Sequence, residues 1–323
     1  MPFVNSLMAA LAFLGRHGTL AVALSIFIGL FLPALSATFK PILTETIIAL
    51  LTLAFLRVQP SALTALVRRP AVVVAAAVWV MLVLPPAVAM LFALLHVKAA
   101  SSDLYFILVL QSCAPGLMSS PALAALMGLD VALTVAGLAL SMIIAPFSAS
   151  LFTHVFLGAS LIAPFSLGAK LLLMIGGTAA AAALIRWLAG SARVDGAGQA
   201  IDGLSVIGLF VFAVAAMDGV AAHALADPVL VIGLTALSFA LSLGAILATT
   251  LLFLPAGRHR AFAIGLLAGN RNIGLMMAAT GFAVPDLVWL YFALAQFPIY
   301  LLPMLLKPVA RRLEQADRPA VSA

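Results

Sequence analysis

The run Ala268-Gly269-Asn270-Arg271-Asn272-Ile273-Gly274 sets a guanidinium between two carboxamides and two glycines, inside an otherwise apolar stretch. A guanidinium stays protonated in proteins and presents five donors in a fixed fork. Placed at the centre of a membrane helix it costs roughly 2.5–3.5 kcal/mol on insertion scales. Something must offset that cost. The candidates are an anionic substrate held by Arg271, Asn270 and Asn272, an ion pair with Glu45, or backbone carbonyls at a break in the helix. A static contact that holds the helices together is as good a reading of Arg271 as a ligand site. Glu45 and Asp218 read more simply as solvated helix ends.

A second polar run, Gln111-Ser112-Cys113-Ala114-Pro115-Gly116-Leu117-Met118-Ser119-Ser120-Pro121, interrupts another apolar stretch. Proline removes a backbone donor and clashes with the preceding turn, and glycine permits unwound geometry. Pro115, Gly116, Gly269 and Gly274 are therefore the expected helix breaks. Ser119 and Ser120 join the candidate substrate-binding set, with Thr134 and Ser141 close by on the next stretch. A single serine in a membrane helix usually bonds its own backbone; the cluster beside a break is what singles these out. Met118, Met127, Met276 and Met277 read as packing.

Nothing supports catalysis. The five histidines show no metal-ligand spacing, no phosphate loop or nucleophile elbow occurs, and Cys113 is the single cysteine. No cofactor and no metal site are expected.

The elements that must position these runs are membrane helices. Of 323 residues, 65% are hydrophobic and 8% charged, against about 45–50% and about 25% in soluble domains. Spanning the hydrocarbon takes about 20 residues, and stretches of that kind fall at 18–37, 41–57, 70–96, 104–128, 131–156, 167–189, 201–222, 228–255, 260–283 and 286–310. The expected class is an all-α polytopic membrane protein of ten helices. Residues 1–17 form an interfacial segment, 18–156 a first five-helix unit, 157–166 a connector, 167–310 a second unit and 311–323 a polar cytoplasmic tail. The net charge of +6 is no sign of nucleic acid, because basic residues in such a chain set orientation. Arg16, Arg57, Arg68, Arg69, Arg186, Arg193, Arg258, Arg260, Lys307, Arg311, Arg312 and Arg318 fall on one side. Lys40, Lys98 and Lys170 fall on the other. Both termini are expected in the cytoplasm, and the membrane is expected to be a bacterial inner membrane.

The two polar breaks occupy the fourth helix of each five-helix unit. Five is odd, so two such units in succession have opposite orientations, which is the 5+5 inverted repeat of many secondary transporters. In those proteins broken helices bring half-helix ends to a midplane binding site.

At these residues the chain resembles the bile acid:sodium symporter family. The similarity runs from Pro115-Gly116 through Ser120, Val131-Ala132-Leu133-Thr134-Val135 and Ser141 to Pro146. It continues in Asn272-x-Gly274-Leu275 and in Arg69-Pro70 followed by Pro85. The resemblance implies a panel domain plus a core domain in which helices four and nine cross. It also implies two sodium ions beside that crossing, held by hydroxyls, carboxamides, carbonyls and one glutamate. Ser120 and Thr134 keep hydroxyls at the matching positions, so they are residual ion-site positions. The rest departs: Pro121 stands for the family's Asn, Leu138 for a Thr, Leu267 for the glutamate, Arg271 for a Gln and Val80 for another Gln. A fixed guanidinium could stand in for a bound cation there, which makes sodium coupling at those sites doubtful.

The expectation is a secondary transporter of a small organic anion working by alternating access, with the bilayer and that anion as its partners. No oligomeric state is read from the sequence. Two other readings stand beside it: a non-transporting membrane sensor or subunit, and an exporter like the arsenite or auxin carriers.

Overall fold

The protein is described by a computed structural model in which residues 11, 24–58, 70–158 and 163–316 are placed. Among these residues the chain is helical, with a single isolated β-bridge and no strand. Elements are labelled in chain order. The pair 24–31 and Pro33–Phe39 is α1 and Leu43–Arg57 is α2; α3 comprises Pro70–Val78, a π turn Trp79–Val83 and Leu84–Leu94. Ser102–Cys113 and Ser120–Leu126 are α4a and α4b, Val131–Leu157 is α5 and Pro164–Ala189 is α6. Gly198–Ala216 is α7, Pro228–Leu252 is α8, Arg258–Gly269 and Ile273–Thr280 are α9a and α9b, and Asp286–Leu294 and Gln296–Ala316 are α10a and α10b.

Among the described residues, seven helical stretches are long and apolar enough to cross a membrane: Pro33–Arg57, Pro70–Leu94, Val131–Leu157, Phe165–Ala189, Gly198–Ala226, Pro228–Leu252 and Asp286–Leu313. The chain is therefore an all-α membrane protein, as its composition requires. Three expected spans are absent from that set, each for an identifiable reason. Residues 18–23 of the first lie outside the described residues, and what is described of it is interrupted at Leu32. The fourth and ninth are cut by their polar breaks into halves that are each too short on their own. The expected interfacial segment 1–17, Leu11 apart, and part of the connector 157–166 also lie outside the described residues. At the other end, α10b continues to Ala316, so the helix extends beyond the expected boundary at residue 310.

α1 and α2 form a hairpin on α7. Leu11 lies against Gly203, Gly29 against Val214 and Met217, Lys40 bonds Asp218, Leu50 lies against Gly208, and Arg57 bonds Asp202. The chain thus ascends along α7, turns near Lys40 and descends. Arg186 on α6 donates to the Leu56 carbonyl (2.7 Å) and Asp195 (2.9 Å), tying α6 to the foot of the same group. A second group contains α3, α4, α5, α8, α9 and α10. Within it Trp79 donates to Thr249 across α3 and α8, and Tyr105 donates to the Ala89 carbonyl across α4a and α3. Every described arginine except Arg271 sits at the end of the molecule that holds Arg57 and Arg186. Lys40, Lys98 and Lys170 sit at the opposite end.

The close pairing of α8 with α9a is built on small residues. Apolar side chains gain nothing from leaving lipid, so close backbone approach through small residues drives packing in a bilayer. Gly265 and Gly269, four apart, present bare backbone to α8. A Cβ on Gly265 would stand 2.7 Å from the Ile246 carbonyl oxygen, and one on Gly269 2.7 Å from that of Ser242. Backbone oxygens cannot step aside as a side chain can. Replacing either glycine by leucine is expected to lower the thermal unfolding midpoint in detergent, by an overpacking cost of about 1–3 kcal/mol. Alanine at Gly176 or Gly177, where a Cβ meets nothing within 4 Å, is expected to leave it unchanged or raised.

Candidate functional site

The two broken helices meet. Gly116 and Arg271 form an antiparallel bridge in which the Leu117 amide donates to the Asn270 carbonyl (2.9 Å) and the Asn272 amide donates to the Pro115 carbonyl (2.8 Å). Two turns of extended backbone, each released from its helix by Gly or Pro, thus satisfy each other at membrane depth, where no lipid group could do so. Gly116 is required by space as well, because Leu267 lies where its Cβ would be. The Gly116 amide is held by the Ser141 hydroxyl (3.3 Å), which itself donates to the Leu138 carbonyl (2.7 Å).

Arg271 is 4% exposed, and its fork is occupied by carbonyls. Nε donates to Ala268 O (2.8 Å), Nη1 to Ala114 O (2.8 Å) and Nη2 to Val80 O (2.9 Å), with Met81 Sδ at 3.8 Å from Nη1. No carboxylate pairs with it among the described residues. Two of these acceptors are carbonyls that the local chain leaves without a donor. The regular partner of Ala268 O would be the amide of Asn272, which is taken by Pro115 O. In the π turn Leu84 N–H reaches back to Trp79 O, so the matching partner for Val80 O would be residue 85. That residue is proline and has no N–H. The third, Ala114 O, projects from the end of α4a just before Pro115. One side chain therefore satisfies carbonyls from three helices. Of the offsets expected for this charge, the carbonyls at the breaks are the one seen; Glu45 is exposed in the first turn of α2, and Asp218 pairs with Lys40 (2.8 Å).

The remaining expected site residues divide by access. Asn272 caps α9b, its Oδ1 accepting from the Leu275 amide (3.1 Å), and it is half-buried, as is Ser119. Asn270 and Ser120 are fully buried, and both side-chain atoms of Asn270 and Ser120 Oγ have no hydrogen-bond partner among the described residues. Thr134 is buried and donates to the Asp130 carbonyl one turn back (2.9 Å). Gly269 and Gly274 flank the break, and Gly274 admits the Phe212 ring of α7. Met127, Met276 and Met277 are core residues. No group of three or more His, Cys, Asp or Glu that could hold a metal occurs among the described residues.

Two features were not anticipated from the sequence. Val80, matched in the resemblance to a Gln, enters the site through its carbonyl rather than its side chain, and Met81 joins it through the π turn; the signal was the pair Pro85-Pro86, which reads equally as an ordinary kink. At the lysine end a cavity of about 290 Å³ opens between α4a, α6 and α9b, lined by Asp103, Ser166, Lys170 and Thr280. Beside it Lys40 lies 4.3 Å above the Trp289 ring while the Trp289 indole donates to the Asp218 carbonyl (2.9 Å). This clasp joins the turn between α1 and α2 and the residues just after α7 to α10a of the second group.

No protein-family model matches the chain, and no curated protein matches it.

Removing the guanidinium without replacing its bonds would leave three buried carbonyls unsatisfied, at about 1–3 kcal/mol each. Arg271→Met is therefore expected to lower the unfolding midpoint far more than either glycine substitution. Arg271→Lys, a point charge without the fork, should recover only part of the loss. The measurement is thermal unfolding of purified protein in detergent.

Proposed function

We propose that the chain is a secondary carrier of a small organic anion that works by alternating access, with the ten-helix inverted repeat of the bile acid:sodium symporter-like transporters. The observation that carries this reading is the antiparallel meeting of two broken helices at the Gly116–Arg271 bridge. Irregular backbone at membrane depth persists only where protein or a water-filled cavity satisfies it, and many secondary transporters build their binding sites from such broken helices.

The packing supports the repeat. If each helix of the first five is exchanged with the helix five later, the contacts α1–α7, α3–α4, α3–α5, α4–α5 and α5–α9 become α6–α2, α8–α9, α8–α10, α9–α10 and α10–α4. All of these occur. The pairs α2–α7 and α4–α9 map onto themselves. An antiparallel bridge is itself two-fold symmetric, so it fits the element that lies on the axis. In this reading α1, α2, α6 and α7 are the panel and the other six the core. The positive-inside rule puts the arginine end and both termini in the cytoplasm, and a bacterial inner membrane fits that orientation.

Ser119 and Asn272, half-buried beside the breaks, are the best-placed contacts for the anion; Arg271 sets the local potential without facing it. Because the guanidinium already fills the place of a cation, transport is not driven by sodium at this crossing. Screening organic anions by thermal shift, then measuring flux of any that bind in proteoliposomes, tests the reading. Binding is expected in sodium-free buffer, with affinity reduced several-fold by Ser119→Ala and Asn272→Ala. Sodium-dependent uptake abolished by Ser120→Ala or Thr134→Val would refute the sodium-free mechanism. A ligand that stabilises the protein with no flux would favour a sensor instead.

Rocking of one helix group against the other must open the clasp at the lysine end. In a Cys113→Ser background, a cysteine at Thr280 in the neighbouring cavity should react several-fold faster with an impermeant maleimide when Lys40→Ala or Trp289→Phe removes the clasp. An unchanged rate would remove the clasp from the cycle.

A further inference from the structure

We propose that the cavity at the lysine end is a binding site for a small zwitterion of amino-acid size, its carboxylate held by Lys170 and its ammonium by Asp103. Binding there goes beyond the anion contacts at Ser119 and Asn272, and it depends neither on transport nor on the family resemblance.

The cavity is separate from the crossing. Asp103 lies in the first turn of the 12-residue α4a, and the crossing lies past the other end of that helix, about 15 Å away at the usual rise. Thr280 closes the end of α9b that also points away from the crossing, while Ser166 and Lys170 line the cavity from α6.

Two opposite charges face this one space without meeting. Asp103 and Lys170 pair neither with each other nor with any other charged group among the described residues. The other two lysines of that end are engaged, Lys40 with Asp218 (2.8 Å) and Lys98 with the Phe156 carbonyl (3.1 Å). Asp103 accepts from the neighbouring Ser102 hydroxyl at 3.4 Å. Lys170 and Ser166 make no hydrogen bond among the described residues. Taken singly, each charge is an ordinary feature of a helix end. An acid in the first turn suits the helix dipole, and a lysine stem can carry its ammonium toward water.

Together they select a ligand. An anion drawn to Lys170 comes close to the like charge of Asp103, and a cation drawn to Asp103 comes close to that of Lys170. A solute carrying both signs gains from both contacts and is spared both repulsions. The Thr280 hydroxyl donates to the Met277 carbonyl (2.7 Å), so it offers lone pairs to an ammonium. Phe106 and Leu167 add apolar wall for a short side chain. Size narrows the class further. A volume of about 290 Å³ sits at the bottom of the roughly 300–1,000 Å³ range of small-molecule pockets, which suits an amino acid and is cramped for a large amphipathic anion.

The test is protection of a cysteine at Ala283, on the cavity wall, from an impermeant maleimide in a Cys113→Ser background. The probes are leucine, with 4-methylpentanoate and isopentylamine as its single-charge relatives, and γ-aminobutyrate, with butyrate and butylamine. At about 10 mM, at least one zwitterion is expected to slow labelling about fivefold or more, and neither of its relatives to do so. The single variants separate charge recognition from a general loss of structure. Asp103→Asn should weaken protection by the zwitterion about tenfold and make the plain carboxylate the better ligand; Lys170→Gln should do the same in favour of the amine. The exchange of Asp103→Lys with Lys170→Asp should restore preference for the zwitterion, and if that double variant does not fold the two single variants decide. The proposal is overturned if no zwitterion protects better than its single-charge relatives, or if neither single variant changes the order of preference. Neither result would bear on anion flux by the wild-type protein, which the proteoliposome measurement decides.

Discussion

One guanidinium in a cage of carbonyls is the contact on which the centre of this molecule depends. A polypeptide that unwinds inside a membrane must answer for every amide and carbonyl it releases, because lipid answers for none. Here the two unwound segments satisfy part of that demand by bonding to each other at Gly116 and Arg271. The carbonyls that remain are collected by the Arg271 side chain. The arginine is usually counted as a cost at this depth. At this crossing it removes a larger one.

The surrounding structure makes that exchange possible. α8 and α9a approach over bare glycine backbone at Gly265 and Gly269, which brings the end of α9a to the crossing. Ser141 holds the Gly116 amide from α5. The π turn in α3 turns Val80 O toward the same point because Pro85 cannot use it. The tight packing at these positions leaves little freedom at the crossing itself. Polar groups with access, Ser119 and Asn272, lie just to its side, and the cavity and the Lys40–Trp289 clasp lie toward the lysine end. A rigid crossing with adaptable surroundings is what a group of helices needs if it is to move as one body against another.

Much of this was legible in the residues. The apolar composition requires a membrane, since too few charged side chains exist to coat a soluble surface. The positions of Pro115, Gly116, Gly269 and Gly274 mark where helices stop, because proline lacks a donor and glycine lacks the Cβ that favours continuation. The matching places of the two breaks pointed to a crossing, and the structure brings those segments together. The separation of the arginines and Lys307 from Lys40, Lys98 and Lys170 along the chain is likewise a local fact, preserved among the described residues when the helices assemble. The small-residue pair Gly265 and Gly269 was equally visible as a spacing of four, although it was passed over beside the more conspicuous break.

What only the tertiary structure decided is which way the chemistry at the crossing faces. The run from Gly269 to Gly274 states that a guanidinium and two carboxamides share a break. It does not state that the fork meets carbonyls of α3 and α4, that Asn270 turns inward with no partner, or that Asn272 turns to cap α9b. Those outcomes depend on which carbonyls residues far away in the chain leave unbonded: Val80 through Pro85, and Ala114 at the end of α4a. An anion site and a cage of carbonyls are written with the same residue types, and only the acceptors supplied by distant helices tell them apart. Seen with those acceptors in place, Arg271 is the charge that closes the crossing.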